Sequence, residues 1–231
     1  MRKTPPLLQE LRVLPTNRKE KRWGGCCLLI FTRYPEAGKT KTRLIPILGA
    51  AGAARLQKSL TEKIVNQAKL LARRTAIDIA LYYSGGNREK ILSWLGLADC
   101  FAQAEGDLGR KMQLAFQQTF AGGAEAAVLI GSDIPDITAD LLSRAFSMLS
   151  AGEVVIGPSR DGGYYLIGLV ANQAKRLLPL LFDKMHWSTP HLFTDTMNRL
   201  TEAGFSVATL PSLSDIDLPE DLPIAKESGL L

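Results

Sequence analysis

The stretch CCLLIFTRYPEAGKTKTRLIP, residues 26–46, carries the strongest fold signal in this chain. Its first six residues, 26–31, are apolar and predict a short buried strand. The strand ends at Arg-Tyr-Pro, residues 33–35, and Gly38 follows with cations at alternate positions: Lys39, Lys41 and Arg43. In α/β proteins ligands bind beyond the carboxyl ends of the strands, so we expect this cationic loop to meet a phosphorylated substrate.

The sequence Gly-Lys-Thr at residues 38–40 resembles the end of a P-loop. That motif needs another glycine five positions before Gly38, and Arg33 stands there instead, so the P-loop interpretation is set aside. A solvated charged loop with Glu36 among the cations is the alternative that the residues leave open.

The net positive charge is concentrated at the start of the chain. Residues 1–22 carry seven Lys or Arg and two Glu, which accounts for the whole formal net charge of +5. We expect this basic tail, residues 1–22, to be poorly ordered and residues 23–231 to form a single α/β domain. Because that domain has no net charge, we expect no nucleic-acid partner, although binding through the tail stays an alternative.

Other sequence features narrow the class of protein. No apolar run is long enough to span a bilayer, and no signal-peptide core is present at the start, so we expect a cytoplasmic protein. The three cysteines, Cys26, Cys27 and Cys100, lack zinc-site spacing and fit a reducing compartment. A homo-oligomer is compatible with this sequence.

Apolar runs and helical patterns alternate along the chain, which favours a largely parallel sheet flanked by helices. The predicted strands are 26–31, 76–83, 100–104, 126–131, 153–158, 164–170 and 205–210. The predicted helices are 49–74, 88–95, 107–120, 138–150, 172–182, 189–204 and a terminal one from Pro219. We expect Asp107, Thr138 and Thr189 to cap the helices that they begin.

Acidic residues follow two of the predicted strands. Asp133 lies directly after the most apolar strand, 126–131, which we expect at the centre of the sheet. Opening the next turn is an alternative role for Asp133. Asp215 and Asp217 are two apart in an extended segment, so their side chains lie on one side about 7 Å apart, within reach of one hard cation.

The turn at residues 159–163 carries Asp161, Gly162 and Gly163 between two strands. The double glycine permits positive φ and lets the backbone approach a ligand, although a plain hairpin would have a similar sequence. Glu220 and Asp221 are expected to cap the terminal helix.

Five blocks in this order resemble one bacterial family of the glycosyltransferase-A type. It is the radical-SAM/selenodomain-associated transferase family, also called the arsenosugar biosynthesis glycosyltransferase, with cofC-like and MobA-like nucleotidyltransferases as relatives. The blocks span residues 31–44, 106–109, 131–135, 157–169 and 215–222. The resemblance implies a three-layer α/β/α fold with a mixed, mainly parallel sheet, of the nucleotide-diphospho-sugar transferase type.

The resemblance also implies site residues and a cofactor. It assigns metal binding, with Mg²⁺ or Mn²⁺, to Asp133, Asp215 and Asp217. It places Arg33, Lys39 and Arg43 in the phosphate-facing loop. Together with Lys41 of the same loop and with Asp161, Gly162 and Gly163 of the turn at 159–163, they form the predicted nucleotide- and phosphate-binding set. The chain departs from the Asp-Xaa-Asp pattern of this class because Asp133 is followed by Ile-Pro-Asp, so Asp136 receives no metal role.

The resulting hypothesis is a metal-dependent transferase with Asp133 and Lys39 as catalytic residues. Its donor would be a nucleotide sugar and its acceptor a small molecule. A nucleotidyltransferase that releases pyrophosphate from a nucleoside triphosphate is the first alternative, and a nucleotide-binding module without turnover is the second.

Overall fold

Seven strands form one sheet in the computed structural model, which describes residues 22–231. They are β1 (Cys26–Arg33), β2 (Ile77–Ser84), β3 (Cys100–Ala102), β4 (Ala126–Ile130), β5 (Val154–Pro158), β6 (Tyr164–Val170) and β7 (Val207–Thr209). Their order is β3-β2-β1-β4-β6-β5-β7. Strand β6 runs antiparallel to β4 and β5, and the other pairs are parallel. The predicted mixed, mainly parallel sheet is confirmed, with β4 at its centre.

Helices cover both faces of this sheet. They are α1 (Ile45–Arg74), α2 (Arg88–Leu95), α3 (Leu108–Ala121), α4 (Ala139–Ala151), α5 (Ala174–Phe182), α6 (Leu192–Glu202) and α7 (Leu222–Glu227). Alternate residues of β1 point to opposite faces. Leu28 and Ile30 pack with α1, α2 and α4, whereas Leu29 and Phe31 pack with α3, α5 and α6. The three-layer α/β/α architecture is therefore confirmed.

Helix α1 has a break at the position where the sequence predicts its start. Gly49 has φ +69° and ψ 164°, a conformation that glycine adopts without the steric cost that a side chain brings. Residues 45–48 thus form a separate turn before the regular helix. That turn packs with α7 around Leu44 and Ile216 in a small apolar cluster. The N-terminal loop and the C-terminal segment are brought together there.

Two of the three predicted helix caps are present. Asp107 accepts a hydrogen bond from the Arg110 amide at 2.7 Å, and Thr138 accepts one from the Leu141 amide at 3.2 Å. Both bonds satisfy amides that have no partner inside the helix.

The predicted start of α6 at Thr189 is wrong, because the helix begins at Leu192. The Thr189 hydroxyl donates instead to the His186 carbonyl oxygen at 3.1 Å. The backbone of Pro190 packs against the β5–β6 turn, where a Cβ on Gly162 would lie 2.1 Å from the Pro190 carbonyl oxygen. This tertiary contact holds residues 189–191 outside the helix.

The predicted basic tail lies outside the described residues, except for Arg22. The Arg22 guanidinium lies 4.7 Å from the centre of the Phe101 ring and pairs with Asp99 at 2.7 Å. None of the helices within residues 22–231 is both long and apolar enough to cross a membrane.

Candidate active site

A cleft of about 640 Å³ opens at the carboxyl ends of β1 and β4. Residues 31–33 end β1 there, and residues 131–134 follow β4 on the same edge. Because β6 runs antiparallel, its first residue, Tyr164, also lies at this edge. This position, beyond the carboxyl ends of the parallel strands, is the one where α/β proteins bind ligands.

The two walls of the cleft differ in character. The wall on the α3 side is apolar and includes Phe31, Met112, Leu129 and Ile167 from the cluster that packs under α3 and α5. Leu108, 46% exposed, adds an apolar side chain at the first turn of α3. The charged wall carries seven of the predicted residues, Arg33, Lys41, Arg43, Asp133, Asp161, Asp215 and Asp217, but not Lys39. The cleft therefore offers an apolar surface and a charged surface to the same ligand.

Lys41 lies at the centre of the charged wall. Its side chain is only 4% exposed, and its ammonium lies 2.6 Å from Oδ1 of Asp133 and 3.8 Å from Oδ1 of Asp217. The same ammonium donates to the Ile216 carbonyl oxygen at 2.5 Å. Three oxygens, from the middle and the end of the chain, thus surround one cation from its beginning.

The backbone at Lys41 is left-handed, with φ +49° and ψ +45°. Few residues other than glycine adopt this conformation. It turns the Lys41 side chain into the protein, where oxygen partners compensate the burial of the ammonium.

Backbone hydrogen bonds bring the C-terminal segment to Asp133. The Ile216 amide donates to the Asp133 carbonyl oxygen at 3.0 Å, and the Leu213 amide donates to the Pro158 carbonyl oxygen at 3.2 Å. The Ile216 side chain is fully buried against α1 and α7. The two acidic segments are therefore held together by main-chain bonds and packing as well as by charge.

Asp217 is positioned from both sides. Its Oδ2 accepts from the Arg43 guanidinium at 2.5 Å. Its amide donates to Oδ2 of Asp221 at 2.9 Å, and the Leu218 amide donates to the same oxygen at 2.7 Å. Asp221 thus satisfies amides at the start of the terminal helical turn, which agrees with the capping role predicted for it.

Asp215 lines the same cleft but does not join this ion-pair group. Burial raises the pKa of its carboxyl, and the negative charges of Asp161 and Asp221 raise it further. Within residues 22–231 no three His, Cys, Asp or Glu side chains are grouped closely enough to hold a metal ion. The structure therefore brings Asp133 and Asp217 together but does not assemble the predicted trio with Asp215, whose metal role stays a prediction.

The donor set around Lys41 nevertheless fits a divalent cation. Two carboxylates and one backbone carbonyl are hard oxygen ligands, and they already converge on a single positive charge. Mg²⁺ is commonly held by one or two carboxylates together with substrate phosphates, without a complete cage of protein ligands. The residues around Lys41 therefore fit that kind of metal binding.

Arg33 and Lys39 lie apart from this group. Arg33 lines the cleft, and its guanidinium donates to the Lys39 carbonyl oxygen at 3.2 Å. The Lys39 side chain is 71% exposed and pairs with Glu36 at 2.8 Å. Lys39 borders a smaller hollow of about 220 Å³ and does not line the cleft. Its predicted catalytic and phosphate-binding roles stay predictions, and they require its side chain to leave Glu36.

The turn between β5 and β6 contributes two of its three predicted residues to the cleft, Asp161 and Gly163. Oδ1 of Asp161 accepts from the Gly163 amide at 3.0 Å and also from the Ser159 hydroxyl. Gly162 instead packs on Pro190, with φ +89° and its carbonyl oxygen bonded to the Phe193 amide at 2.9 Å. Gly162 therefore does not line the cleft and instead packs the β5–β6 turn against the start of α6. Its predicted binding role stays a prediction.

A buried polar network that includes Ser132, the residue before Asp133, was not predicted from the sequence. The Ser132 hydroxyl donates to the Thr32 hydroxyl at 3.0 Å, and the Gln57 amide donates to Ser132 at 3.1 Å and to Thr61 at 3.2 Å. All four residues are at least 96% buried. Two signals pointed to it: polar residues at the ends of β1 and β4, and Gln57 and Thr61 on the apolar face of α1.

Comparison with known proteins adds a family match. The family described as "Uncharacterized protein conserved in bacteria (DUF2064)" matches residues 67–189, more than half of the chain. A comparison with curated proteins finds no match.

Similar solved structures share the fold. A protein from Desulfovibrio desulfuricans G20, provisionally assigned as a nucleotide-diphospho-sugar transferase, is 35% identical, with a TM-score of 0.76 over 84% of this chain and 82% of that one. CMP:2-keto-3-deoxy-manno-octonic acid synthetase, complexed with CTP, is 11% identical, with a TM-score of 0.56 over 90% and 98%. Rv0371c of Mycobacterium tuberculosis H37Rv, in complex with manganese, is 16% identical, with a TM-score of 0.53 over 89% and 100%.

Proposed function

Because the chain belongs to the DUF2064 family and has the fold of nucleotide-diphospho-sugar transferases, we propose that it is a metal-dependent transferase that uses a nucleotide-sugar donor to glycosylate a small acceptor. The observation that carries the proposal is the convergence of Asp133, Asp217 and the Ile216 carbonyl on one cation position in the cleft. Such a position, beside Arg43, suits the diphosphate of a nucleotide donor.

The charge of the cleft supports a metal requirement. Within the described residues its lining has three cationic side chains, Arg33, Lys41 and Arg43, and four carboxylates. The carboxylates belong to Asp133, Asp161, Asp215 and Asp217. With one more carboxylate than cations, the lining would repel a nucleoside diphosphate brought in alone. A divalent cation that enters with the diphosphate reverses that balance.

Mg²⁺ or Mn²⁺ would be held by Asp133 and Asp217, with Asp215 as a further acidic residue of the same cleft. The ion would neutralise the charge that develops on the departing nucleoside diphosphate. Arg33 and Arg43 would face the remaining phosphate oxygens, and Asp161 and Gly163 would border the donor from the β5–β6 turn. The apolar wall at Met112 and Leu129 would exclude water from one side of the donor.

A nucleotidyltransferase that releases pyrophosphate is the second candidate. The fold shared with CMP:2-keto-3-deoxy-manno-octonic acid synthetase, which was complexed with CTP, favours it. The same cations would then face a triphosphate, and the acceptor would carry the attacking phosphate. The two candidates differ in the product released from the nucleotide.

The experiment is an incubation of the protein with a panel of nucleotide sugars and nucleoside triphosphates, with Mg²⁺ or Mn²⁺ and a mixture of small acceptors. Release of nucleoside diphosphate supports the glycosyltransferase, and release of pyrophosphate supports the nucleotidyltransferase. Binding of a nucleotide with neither product would leave a nucleotide-binding module without turnover and contradict both candidates.

Asp133→Asn tests the site in the same assay. Loss of this carboxylate should lower turnover by about 100-fold or more, since it removes charge that positions the ion. Asp136→Asn is the matched control because Asp136 is an exposed aspartate three residues away, outside the cleft lining. Turnover of Asp133→Asn close to that of the control would overturn the assignment.

A further inference from the structure

We propose that Lys41 is a resident stand-in for the divalent cation, and that it exchanges the carboxylates for substrate phosphate when metal and nucleotide arrive together. This inference rests on the proposed function and adds a mode of regulation to it. Metal alone would bind weakly, because the ammonium already occupies the position where the metal's oxygen ligands converge.

The contacts of Lys41 are those expected of a cation in a coordination site. The ammonium lies 2.6 Å from Asp133, 3.8 Å from Asp217 and 2.5 Å from the Ile216 carbonyl oxygen. A surface ion pair contacts one carboxylate and stays solvated. Here the side chain is 4% exposed, whereas the carboxylates of Asp133 and Asp217 are 46% and 38% exposed. The acidic side chains are therefore more exposed to the cleft than the ammonium that they share.

The surroundings of Asp217 show which cation is replaceable. Arg43 contacts Oδ2 of Asp217, and Lys41 faces Oδ1. The Arg43 side chain is 67% exposed, so it can follow a phosphate without leaving a buried charge. Lys41 is buried at the border of the cleft, so an anionic partner in the cleft would compensate the loss of Asp133.

The exchange couples the two ligands. A divalent ion on Asp133 and Asp217 displaces the ammonium, and a phosphate oxygen in the same cleft accepts it. Each ligand therefore lowers the free energy of binding the other, and the coupling is reciprocal. A purely structural role for Lys41 makes the opposite prediction, since losing a structural contact loosens the site and weakens every ligand.

The test measures Mn²⁺ affinity without nucleotide, by counting free Mn²⁺ with electron paramagnetic resonance during a titration. Lys41→Met removes the stand-in charge at similar length. Lys41→Gln is a second neutral variant that can still donate to Asp133 and Ile216, which helps the loop to fold. Lys58→Met is the matched control, because Lys58 is 50% exposed and pairs with Glu62 on the outside of α1.

We expect both neutral variants to bind Mn²⁺ at least tenfold more tightly than wild type, and Lys58→Met to match wild type. Adding Asp133→Asn to Lys41→Met should abolish the gain, which places the ion at this site. Equal or weaker Mn²⁺ binding by the neutral variants, or no binding by any protein, overturns the inference.

A measurement on the wild-type protein tests the exchange even if the Lys41 variants do not fold. Mg²⁺ added together with inorganic pyrophosphate should change the ¹⁵N chemical shift of the Lys41 ammonium, and an unchanged shift overturns the exchange. Failure of the transferase proposal is distinguishable. Tight Mn²⁺ binding without turnover on any donor would refute the transferase alone, and turnover without the tenfold gain would refute the stand-in alone.

Discussion

Lys39 and Lys41 lie two residues apart in one loop, yet the fold places them in opposite environments. Lys39 is 71% exposed and pairs with Glu36, three residues away in the sequence. Lys41 is 4% exposed and contacts oxygens from residues 133, 216 and 217. The difference begins in the backbone, because Lys41 has φ +49° and directs its side chain inward. Identical side chains in one charged run can therefore serve as an exposed local ion pair and as a buried link between distant segments.

The largest expected difference is in stability. Lys41→Met leaves two partly exposed carboxylates without their shared cation, which should cost about 2 kcal/mol of unfolding free energy. Lys39→Met should cost much less, because its ion pair with Glu36 is exposed. Urea unfolding of both variants beside wild type measures this. Equal losses would mean that burial does not distinguish the two lysines.

Gly38→Ala should have an intermediate effect. Gly38 has φ +82°, and a Cβ there would meet no atom within 4 Å, so the cost comes from backbone strain alone. About 1 kcal/mol of unfolding free energy is expected. The residue sets the path of the loop between the Glu36 pair and Lys41. If thermal unfolding shows no loss of stability, the loop does not depend on that backbone conformation.

The smallest effect concerns pH. The hydrogen bond from Lys39 lowers the pKa of the Glu36 carboxyl below its ordinary value. The stability from this pair is present at neutral pH and is lost as pH falls through the lowered pKa of Glu36. In Lys39→Ala the pKa of Glu36 should return toward its ordinary value, as an NMR titration of the carboxyl would show. A Glu36 pKa that stays low in the variant would exclude Lys39 as its cause.

Much of the site could be predicted because it follows strands. Asp133 comes directly after the most apolar run, which is typical of a central strand. The position of Asp133 beyond the carboxyl end of that strand could therefore be predicted from the sequence. Asp215 and Asp217 both line the cleft, and the shared metal role predicted from their i, i+2 spacing stays a prediction. Spacing could not show that Asp217 alone would share Lys41 with Asp133, because that depends on the bond from the Ile216 amide to the Asp133 carbonyl oxygen.

The start of α6 and the buried polar network at α1 could not be predicted from the local sequence. Thr189-Pro190 has the composition of a helix start, but the contact of Pro190 with Gly162 outweighs that preference and α6 begins at Leu192. Gln57 and Thr61 sit among apolar residues of α1, where a polar side chain is ordinarily a weak clue. Their partners, Thr32 and Ser132, come from two different strands.

The amino-acid sequence by itself determined the alternation of strands and helices around a largely parallel sheet, the central position of β4 and the acidic and basic segments at one edge of the sheet. Those properties follow from periodicity, apolar content and the rule that binding residues follow strands. Only the tertiary structure decided which of several similar charges meet: Lys41 rather than Lys39 lies with Asp133 and Asp217. The reason is that burial, backbone conformation and main-chain hydrogen bonds between distant segments fix the distances between charges, and none of these is visible in local composition.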